Sequence, residues 1–437
     1  MGGEFGPFLL IGGLLLLVIL SVPIAYALGA MALVMAYYIS PENMPTAILL
    51  KASDGVDEFA LLAIPFFVFA GALMAEGGMA WRLVAFAQIF VGWLRGGLAM
   101  VNVLASMFFG GISGSAVADT SSIGSILIPM MKKEGYSDAF SVNVTISSAT
   151  QGIIIPPSHN AIIYSWAAGG TVSVAALFMA GVIPGIMVGI SLMILSYFIS
   201  RKRGYPKGRV IPLKEALKIT WEAALGLVTI FIIVGGVILG FYTPTESAAV
   251  ACVWAFFVTM FVYRDLKWKQ LPTLLHSTVK TVCMVMIVIG FAGGFGYLMT
   301  LMQVPVKVSS ALLAVSDNKY VILALINVML LVFGTFMDMA PLILICAPIL
   351  LPVIKALGMS DIQFGIMMML NLGIGLLTPP VGTVLFVGCA IGKISIEKAA
   401  RELWPFWLAM LVVLLLCTYI PAFSLWLPSL KYDYITF

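Results

Sequence analysis

The apolar positions of this chain lie in long continuous runs, with neither a two-residue alternation nor a regular polar helix face over most of the length. Strands of a membrane β-barrel alternate apolar and polar residues, whereas these runs are rich in Leu, Met, Ala and Gly. A helix needs about 20 mostly apolar residues to cross a bilayer, and the chain has room for roughly ten such helices. We therefore predict an all-α polytopic membrane protein.

An internal repeat organises these runs. When the sequence is shifted by 223 residues, many residues of the first half coincide with identical residues of the second. The coincident pairs include Pro129 with Pro352, Lys132 with Lys355, Gly135 with Gly358, Asp138 with Asp361, Gly152 with Gly375, and Pro156 and Pro157 with Pro379 and Pro380. A run of matches at one offset indicates a duplicated structural unit. We predict an N-terminal scaffold helix pair (1–40), a first repeat (41–200), a cytoplasmic loop with a surface helix and a second scaffold pair (201–263), and a second repeat (264–437).

Each repeat contains one predicted re-entrant hairpin and one broken helix. The hairpin consists of two apolar halves joined by a Gly-rich polar patch, at 98–109 and 120–131 in the first repeat and at 319–333 and 341–354 in the second. Halves of about 12 to 15 residues are too short to cross ~30 Å of hydrocarbon at 1.5 Å per residue. The helix that follows, at 138–169 and 361–391, contains the Pro-Pro pair, which removes helical hydrogen bonds and frees carbonyl groups. Such backbone is tolerated at membrane depth only where protein or a water-filled cavity satisfies it.

Charge distribution predicts that the second repeat is inverted relative to the first. An odd number of crossings separates the two units, and the inverted arrangement places 18 of the 23 Lys and Arg residues in the cytoplasm. These residues lie in the stretches 80–97, 131–138, 200–223, 264–280 and 392–402. An excess of basic residues in cytoplasmic loops is the expected pattern. The stretch 211–224 is predicted as a surface helix, and 45–53 and 271–280 as lateral arm helices, with plain loops as the alternative.

Composition excludes several classes of function. The chain is 62% hydrophobic and 10% charged, whereas a soluble domain is about half apolar and a quarter charged. Because the basic residues are spread among loops, we expect membrane lipid and no nucleic acid as a partner. Two histidines and five unpaired cysteines argue against a His or Cys metal centre and against an intramembrane enzyme.

Paired broken helices in inverted repeats point to a substrate and ion site near the bilayer midplane. Helix N-termini in such a site suit an anionic substrate, whereas freed carbonyls and hydroxyls suit a hard monovalent cation such as Na⁺. The first predicted cation site comprises Ser113, Ser115, Pro156, Ser158 and Asn160. The second predicted cation site comprises Gly334, Asp338, Thr378, Gly382 and Thr383. The predicted substrate-binding residues are Ser115, Ser158, His159, Asn160 and Thr383.

Five single residues receive separate interpretations. Asp338 coincides with Ser115 under the shift and is a lone carboxylate in an apolar run, so we predict that it binds a cation or carries a proton. Glu246 is predicted to stabilise the start of an outer helix. Trp404 and Trp407, like Trp426, are predicted to anchor the protein at the membrane interface.

Several motifs resemble those of one transporter family. The segments GISGSAVADTSSIGSILIP (111–129), IIPPSHNAIIY (154–164), GTFMDMAPLILICAPIL (334–350) and GLLTPPVGT (375–383) look like the large membrane subunit of tripartite ATP-independent periplasmic (TRAP) transporters, over nearly the whole chain. The resemblance implies a Na⁺-driven, elevator-type importer in a bacterial inner membrane. It also implies a separate small membrane subunit of about four helices and a periplasmic substrate-binding protein as partners.

The substrate implied by the resemblance is a small organic anion. The motifs look closest to the sialic acid members, although C4-dicarboxylate members share them. An anion–Na⁺ symporter or H⁺-coupled exchanger that needs no binding protein is the alternative within transport, because it would share the repeats and hairpins. A scaffold subunit is a further alternative, which the duplicated broken helices disfavour.

Overall fold

The computed structural model describes residues 6–433 and 435. Every regular element in this part of the chain is helical, apart from an isolated backbone bridge between Arg95 and Lys207. Eight of the described helical segments are long and apolar enough to cross a membrane. The all-α polytopic fold predicted from the sequence is therefore confirmed. The eight segments include Lys319–Phe336 and Met339–Ala356, the halves of the second predicted hairpin, so the expectation that these halves are too short to cross was wrong: each is 18 residues long because the helices continue into the polar tip.

The first half of the chain contains eleven helices that end in a long spanning helix. They are α1 (Gly6–Ile19), α2 (Ile24–Ile39), α3 (Met44–Val56), α4 (Ala63–Glu76, preceded by a 3₁₀ turn Phe59–Leu62), α5 (Met79–Val91), α6 (Gly97–Ser113), α7 (Ala116–Lys133), α8 (Asp138–Ala149), α9 (Gln151–Ile154), α10 (His159–Ala167) and α11 (Val174–Arg203). Helices α6 and α7 form the first hairpin, and α8 to α10 form the first broken helix.

The second half begins with scaffold helices and then repeats the same order of elements. These helices are α12 (Leu213–Ile230), α13 (Gly236–Ile238), α14 (Pro244–Phe257), α15 (Leu271–Leu301), α16 (Val304–Leu313), α17 (Lys319–Phe336), α18 (Met339–Ala356), α19 (Asp361–Gly375), α20 (Thr383–Gly392), α21 (Ile396–Tyr419) and α22 (Ala422–Ser429). Two π-helical segments, Phe231–Gly235 and Val258–Val262, continue α12 and α14.

The 223-residue offset is preserved in the helix boundaries of the two hairpins. Helix α6 ends at Ser113 and α17 at Phe336, while α7 begins at Ala116 and α18 at Met339. Between the hairpins the chain makes five crossings, namely the first broken helix, α11, α12 with α13, α14 and α15. Because a hairpin enters and leaves on the same side, an odd number of crossings places the second hairpin on the opposite side from the first.

Matching serine caps start the two broken helices. The side chain of Ser137 accepts a hydrogen bond from the backbone N–H of Phe140, and that of Ser360 accepts one from Ile362, both at 3.3 Å. Such caps satisfy backbone donors that have no partner within the helix. The local sequence therefore fixes where each broken helix begins.

Two predicted surface elements are longer than expected. The stretch 271–280 is the beginning of the 31-residue helix α15 rather than a separate arm helix, whereas α3 in the first repeat is separate. The surface helix predicted at 211–224 likewise continues into a spanning segment that ends at Ile238. After the Pro residues at the start of each helix, neither stretch contains a proline to stop it, so the helix propagates into the apolar run.

The outer helix that begins at Pro244 starts with a capping box. The hydroxyl of Thr243 accepts a hydrogen bond from the backbone N–H of Glu246 at 3.2 Å, and the Glu246 carboxylate accepts one from the backbone N–H of Thr243 at 2.8 Å. This arrangement satisfies two backbone donors at once. The structural interpretation of Glu246 is confirmed.

Candidate functional site

The two broken helices pack side by side in opposite directions at the centre of the protein. The end of one contacts the start of the other: a methyl group placed on Gly388 or Gly392 of α20 would collide with Ile146 or Val142 of α8. At the other end, the Tyr164 hydroxyl donates a hydrogen bond to the carbonyl oxygen of Asp361 at 2.6 Å. Both Pro-Pro breaks therefore lie in the middle of this pair of helices.

The first hairpin tip lies against the first break. Gly114 at the tip has φ +62°, a left-handed conformation that favours glycine. A methyl group placed there would lie 2.7 Å from the carbonyl oxygen of Pro157 and 3.5 Å from the backbone nitrogen of His159. A methyl group on Gly111 would lie 3.4 Å from the carbonyl oxygen of Pro156. The tip and the break thus meet backbone to backbone, and we name this meeting point junction one.

Junction one contains hydroxyl oxygens that have few or weak hydrogen bonds to the rest of the described protein. Ser113 and Ser158 are buried, and the Ser158 hydroxyl has no hydrogen-bond partner among the described residues. The Ser115 hydroxyl accepts only a long hydrogen bond, 3.4 Å, from the backbone N–H of Ala118. A buried polar group without a partner costs free energy, so these oxygens are suited to a ligand that would pair with them.

Junction two repeats this arrangement at the second hairpin tip and the second break. The backbone N–H of Val381 donates a hydrogen bond to the carbonyl oxygen of Thr335 at 3.1 Å, which joins the break to the tip. Gly334 and Gly375 contact each other so closely that a methyl group on Gly375 would lie 2.7 Å from the Gly334 Cα. The Thr383 hydroxyl is buried and has no partner among the described residues. Both junctions therefore combine a close backbone contact between tip and break with a hydroxyl that has no partner among the described residues.

Helix N-termini converge at the two junctions, and most of them lack side-chain caps. Helices α7, α10, α18 and α20 all begin there, and only α7 has a side-chain cap, from Ser115. Among the other helices of the repeats that start at a Ser or Asn, α8, α11, α17, α19 and α21 are capped by that side chain, whereas α3, which starts at Asn43, is not. Uncapped N-termini carry free N–H groups and a partial positive charge. The junctions can therefore attract an anion, while their carbonyls and hydroxyls can bind a cation.

The structure groups the predicted residues at the two junctions, but some of their side chains are already hydrogen-bonded and others are not. Ser113, Ser115, Pro156, Ser158, His159 and Asn160 belong to junction one, and Gly334, Asp338, Thr378, Gly382 and Thr383 to the hairpin tip and break of junction two. Asp338 stands at the N-cap position of α18, where its exposed side chain makes no capping hydrogen bond. The binding roles assigned to these residues remain predictions.

The Thr378 hydroxyl already has two hydrogen bonds. It donates one to the carbonyl oxygen of Ile374 at 3.0 Å and accepts one from the indole N–H of Trp407 at 3.2 Å. Trp407 is therefore not the membrane-interface anchor expected from its position in the sequence, because it reaches inward from α21 to the second break. Thr378 can offer a ligand its backbone carbonyl more readily than its hydroxyl.

Asp119 is a buried carboxylate whose depth sequence reasoning did not anticipate. It lies in the first turn of α7, fully buried, where the Ser106 hydroxyl donates a hydrogen bond to one carboxylate oxygen at 3.4 Å. The other oxygen has no partner among the described residues. The Ser148 hydroxyl is within hydrogen-bond distance of both the Ser106 hydroxyl and the Asn102 side-chain oxygen. These contacts form a polar network between the first hairpin and the first broken helix. The signal that could have found it was an acidic residue four positions after the hairpin tip.

Comparison with known proteins identifies the family. The family model described as the tripartite ATP-independent periplasmic transporter, DctM component, matches residues 11–423. The chain belongs to this TRAP transporter family. A C4-dicarboxylate TRAP transporter large permease protein, DctM, from Pseudomonas aeruginosa is 40% identical over 390 residues, which are 89% of this chain and 91% of the relative.

A second relative differs in the substrate that its name gives. A sialic acid TRAP transporter large permease protein, SiaM, from Vibrio cholerae is 40% identical over 380 residues, covering 87% of this chain and 88% of the relative. As a TRAP large permease, the chain is a multi-pass protein of the bacterial inner membrane and a transporter, not an enzyme. Membership implies a small membrane subunit and a periplasmic binding protein as partners.

The fold is shared with transporters of much lower sequence identity. The YdaH transporter of Alcanivorax borkumensis superimposes with a TM-score of 0.66 at 15% identity, covering 97% of this chain and all of that one. At this identity the likeness concerns the fold alone.

Proposed function

We propose that this TRAP large permease couples the inward movement of Na⁺ to the import of a small organic anion delivered by a binding protein. The observation that carries the proposal is the convergence of three uncapped helix N-termini with the hydroxyls of Ser158 and Thr383, which have no partner among the described residues, at two equivalent junctions. In transporters with broken helices, N-termini face anionic substrate groups and unwound carbonyls coordinate the coupling cation.

The donor atoms at the junctions fit Na⁺ better than a transition metal. They are backbone carbonyl and hydroxyl oxygens, with Asp338 as the single carboxylate at the second tip. No group of three or more His, Cys, Asp or Glu residues that could hold a metal ion occurs in the described part of the chain. Hard oxygen donors of low total charge suit a monovalent hard cation. The cation ligands that we propose are those predicted from the sequence, with Thr378 acting through its carbonyl.

The packing supports an elevator movement in which hairpins and broken helices travel together. Each hairpin is joined to its own broken helix by close glycine contacts, Gly110 with Gly152 and Gly334 with Gly375. An ion pair also joins the end of each hairpin to the start of its broken helix. These are Lys132 with Asp138 at 3.0 Å and Lys355 with Asp361 at 3.2 Å. Backbone contacts as close as these make the hairpins part of one body rather than independent gates.

Sialic acid is the substrate we propose first, with C4-dicarboxylates as the alternative. Both are named for relatives that are 40% identical to this chain. Both carry a carboxylate that could face the uncapped start of α10 beside Ser158 and Asn160. Specificity beyond the carboxylate belongs to whichever binding protein delivers the substrate.

Uptake into proteoliposomes tests the proposal. The chain would be reconstituted with its small subunit, and labelled sialic acid or succinate supplied with the matching binding protein under an inward Na⁺ or K⁺ gradient. We expect uptake with Na⁺ only, and only when the binding protein is present. Uptake without the binding protein would favour an autonomous symporter. Uptake that follows a pH gradient and ignores Na⁺ would overturn the coupling ion.

A further inference from the structure

A cavity of about 440 Å³ lies at the end of the first hairpin that the charge distribution predicts to be cytoplasmic, away from both junctions. Its walls come from the end of α5, the start of α6, the end of α7 and the loop 204–212 that precedes α12. Three basic residues line it, Lys133, Lys207 and Arg209, together with one acidic residue, Glu134. The cavity therefore combines a net positive charge with a location on the side where basic residues concentrate.

The loop that closes this cavity is held in place by specific contacts. The backbone N–H of Gly96 donates a hydrogen bond to the carbonyl oxygen of Pro206 at 3.0 Å. The Tyr205 hydroxyl accepts one from the backbone N–H of Ser137 at 3.2 Å, and its ring lies 4.4 Å from that of Tyr136. Since backbone bonds and a ring contact join the loop to the hairpin, the basic residues are held around a formed cavity.

The basic side chains of the cavity are largely uncommitted. Lys133 and Lys207 make no ion pair or side-chain hydrogen bond in the described part of the chain, and Arg209 pairs only with the partly exposed Glu215 at 2.6 Å. Free ammonium groups around a formed cavity are a site for an anionic group with several oxygens.

The apolar surroundings show that the fitting ligand is an amphiphile. Leu98, Met130 and Ile211 line the same cavity as the basic residues. Just beyond its wall, Phe90 and Trp93 are exposed on the last turn of α5 and directly after it. Exposed aromatic residues beside basic ones are typical of the level where lipid headgroups lie. A ligand with a phosphate head and an apolar body would satisfy both parts.

We propose that this cavity binds the phosphate headgroup of an anionic phospholipid from the cytoplasmic leaflet. The lipid would bridge the basic loop to the base of the first hairpin, with its phosphate between Lys133, Lys207 and Arg209. Basic sites between helices on the cytoplasmic side bind anionic headgroups in this way. The site is separate from the transport junctions and does not depend on which substrate is carried.

Lipid titration of the purified protein tests this assignment. Native mass spectrometry would measure binding of phosphatidylglycerol and phosphatidylcholine to the wild type and to the Lys133→Gln, Lys207→Gln and Arg209→Gln variants. Each substitution should weaken phosphatidylglycerol binding about fivefold, as expected for the loss of one basic contact near an anionic surface. Arg201→Gln and Lys202→Gln are matched controls, because both residues are exposed in the same basic run and do not line the cavity.

Three outcomes would overturn the proposal. One is equal binding of phosphatidylcholine and phosphatidylglycerol at this site, and another is unchanged phosphatidylglycerol binding by the triple variant. The third is displacement of bound phosphatidylglycerol by inorganic phosphate at the same concentration, since the site would then take a free anion. Thermal unfolding of lipid-free wild type and variants, with overlapping transitions, would show that any lost binding is not a loss of fold.

Discussion

The contact between the second hairpin and its broken helix can be tested with a single methyl group. Gly375 is the last residue of α19, and a Cβ on it would lie 2.7 Å from the Gly334 Cα and 2.9 Å from the Gly334 carbonyl oxygen. Ordinary van der Waals contact begins near 3.4 Å. In the Gly375→Ala variant the hairpin tip must therefore move away from the break by about 0.7 Å, because backbone atoms on both sides cannot rotate aside.

This displacement has two calculable consequences. Overpacking of this kind costs about 1–3 kcal/mol, and every 1.4 kcal/mol is a tenfold change in an equilibrium constant. If the strain is relieved by separating the tip from the break, Na⁺ loses ligands from one side of junction two. We therefore expect apparent Na⁺ affinity to fall by about 5- to 150-fold in Gly375→Ala.

Gly373→Ala is the matched control on the same helix. A Cβ on Gly373 would lie 3.6 Å from Ile153 and 3.9 Å from Met339 and Thr150, which is ordinary contact. Both variants gain the same helix propensity from a Gly→Ala change, so the comparison isolates the close approach to Gly334. The assay is the Na⁺ concentration that gives half-maximal substrate uptake in proteoliposomes, together with stabilisation of the purified protein by Na⁺.

The reasoning would be refuted if Gly375→Ala showed the same half-maximal Na⁺ concentration as Gly373→Ala and the wild type. In that case either the hairpin has room to move without losing the cation, or the cation does not bind at junction two. A variant that fails to assemble would be distinguished by gel filtration with the small subunit before any uptake is measured.

Three further predictions concern the same architecture. Asp338→Asn should abolish or strongly weaken Na⁺-dependent uptake in a folded protein, because the only full negative charge at the second tip is lost. Ser115→Ala, at the matching position of the first tip, should have a smaller effect. Normal uptake by Asp338→Asn with unchanged Na⁺ dependence would show that the carboxylate is structural. A cysteine at position 202, an exposed residue of the basic run, should react with a membrane-impermeant thiol reagent from the cytoplasmic side only, and labelling from outside in intact spheroplasts would reverse the topology. Thr243→Ala should destabilise the protein by about 1 kcal/mol through loss of the helix cap, with no change in the Na⁺ dependence of uptake; an altered Na⁺ dependence would assign Glu246 and its cap a role in transport.

Most of the fold could be predicted because its main elements depend on backbone chemistry that is visible in the sequence. A Pro-Pro pair inside an apolar run must break a helix, and a Gly-rich polar patch between two short apolar halves must turn. The duplicated pattern then gave the same two elements twice, and the structure places helix ends at the same offset, as at Ser113 and Phe336. The binding roles of the junction residues remain predictions, because they depend on ligands rather than on the fold.

The predictions that needed correction have two causes, a contact between residues distant in the sequence for Trp407 and the local absence of turn residues for α15. Nothing local to Trp407 indicates that its indole N–H reaches Thr378, 29 residues earlier, because an interfacial tryptophan and an inward-facing one have the same neighbours in sequence. The two parts of α15 likewise look like the separate α3 and α4 of the first repeat. They form one helix because no turn residue separates them, whereas a break at Asp57 and a 3₁₀ turn at Phe59–Leu62 lie between α3 and α4.

The two repeats are also less alike in their side chains than in their backbone, and this difference concerns where each hairpin places its carboxylate. Under the 223-residue shift, the buried Asp119 corresponds to Leu342, and Asp338 at the second tip corresponds to Ser115. Each hairpin therefore carries one carboxylate, but the first buries it in the first turn of α7 and the second exposes it at the tip. If both junctions bind the proposed cation, we expect their backbone oxygens to contribute similarly, because the two breaks have the same Pro-Pro sequence. Because the carboxylate lies at a different depth in each hairpin, we expect the two junctions to differ in cation affinity and to bind in a preferred order.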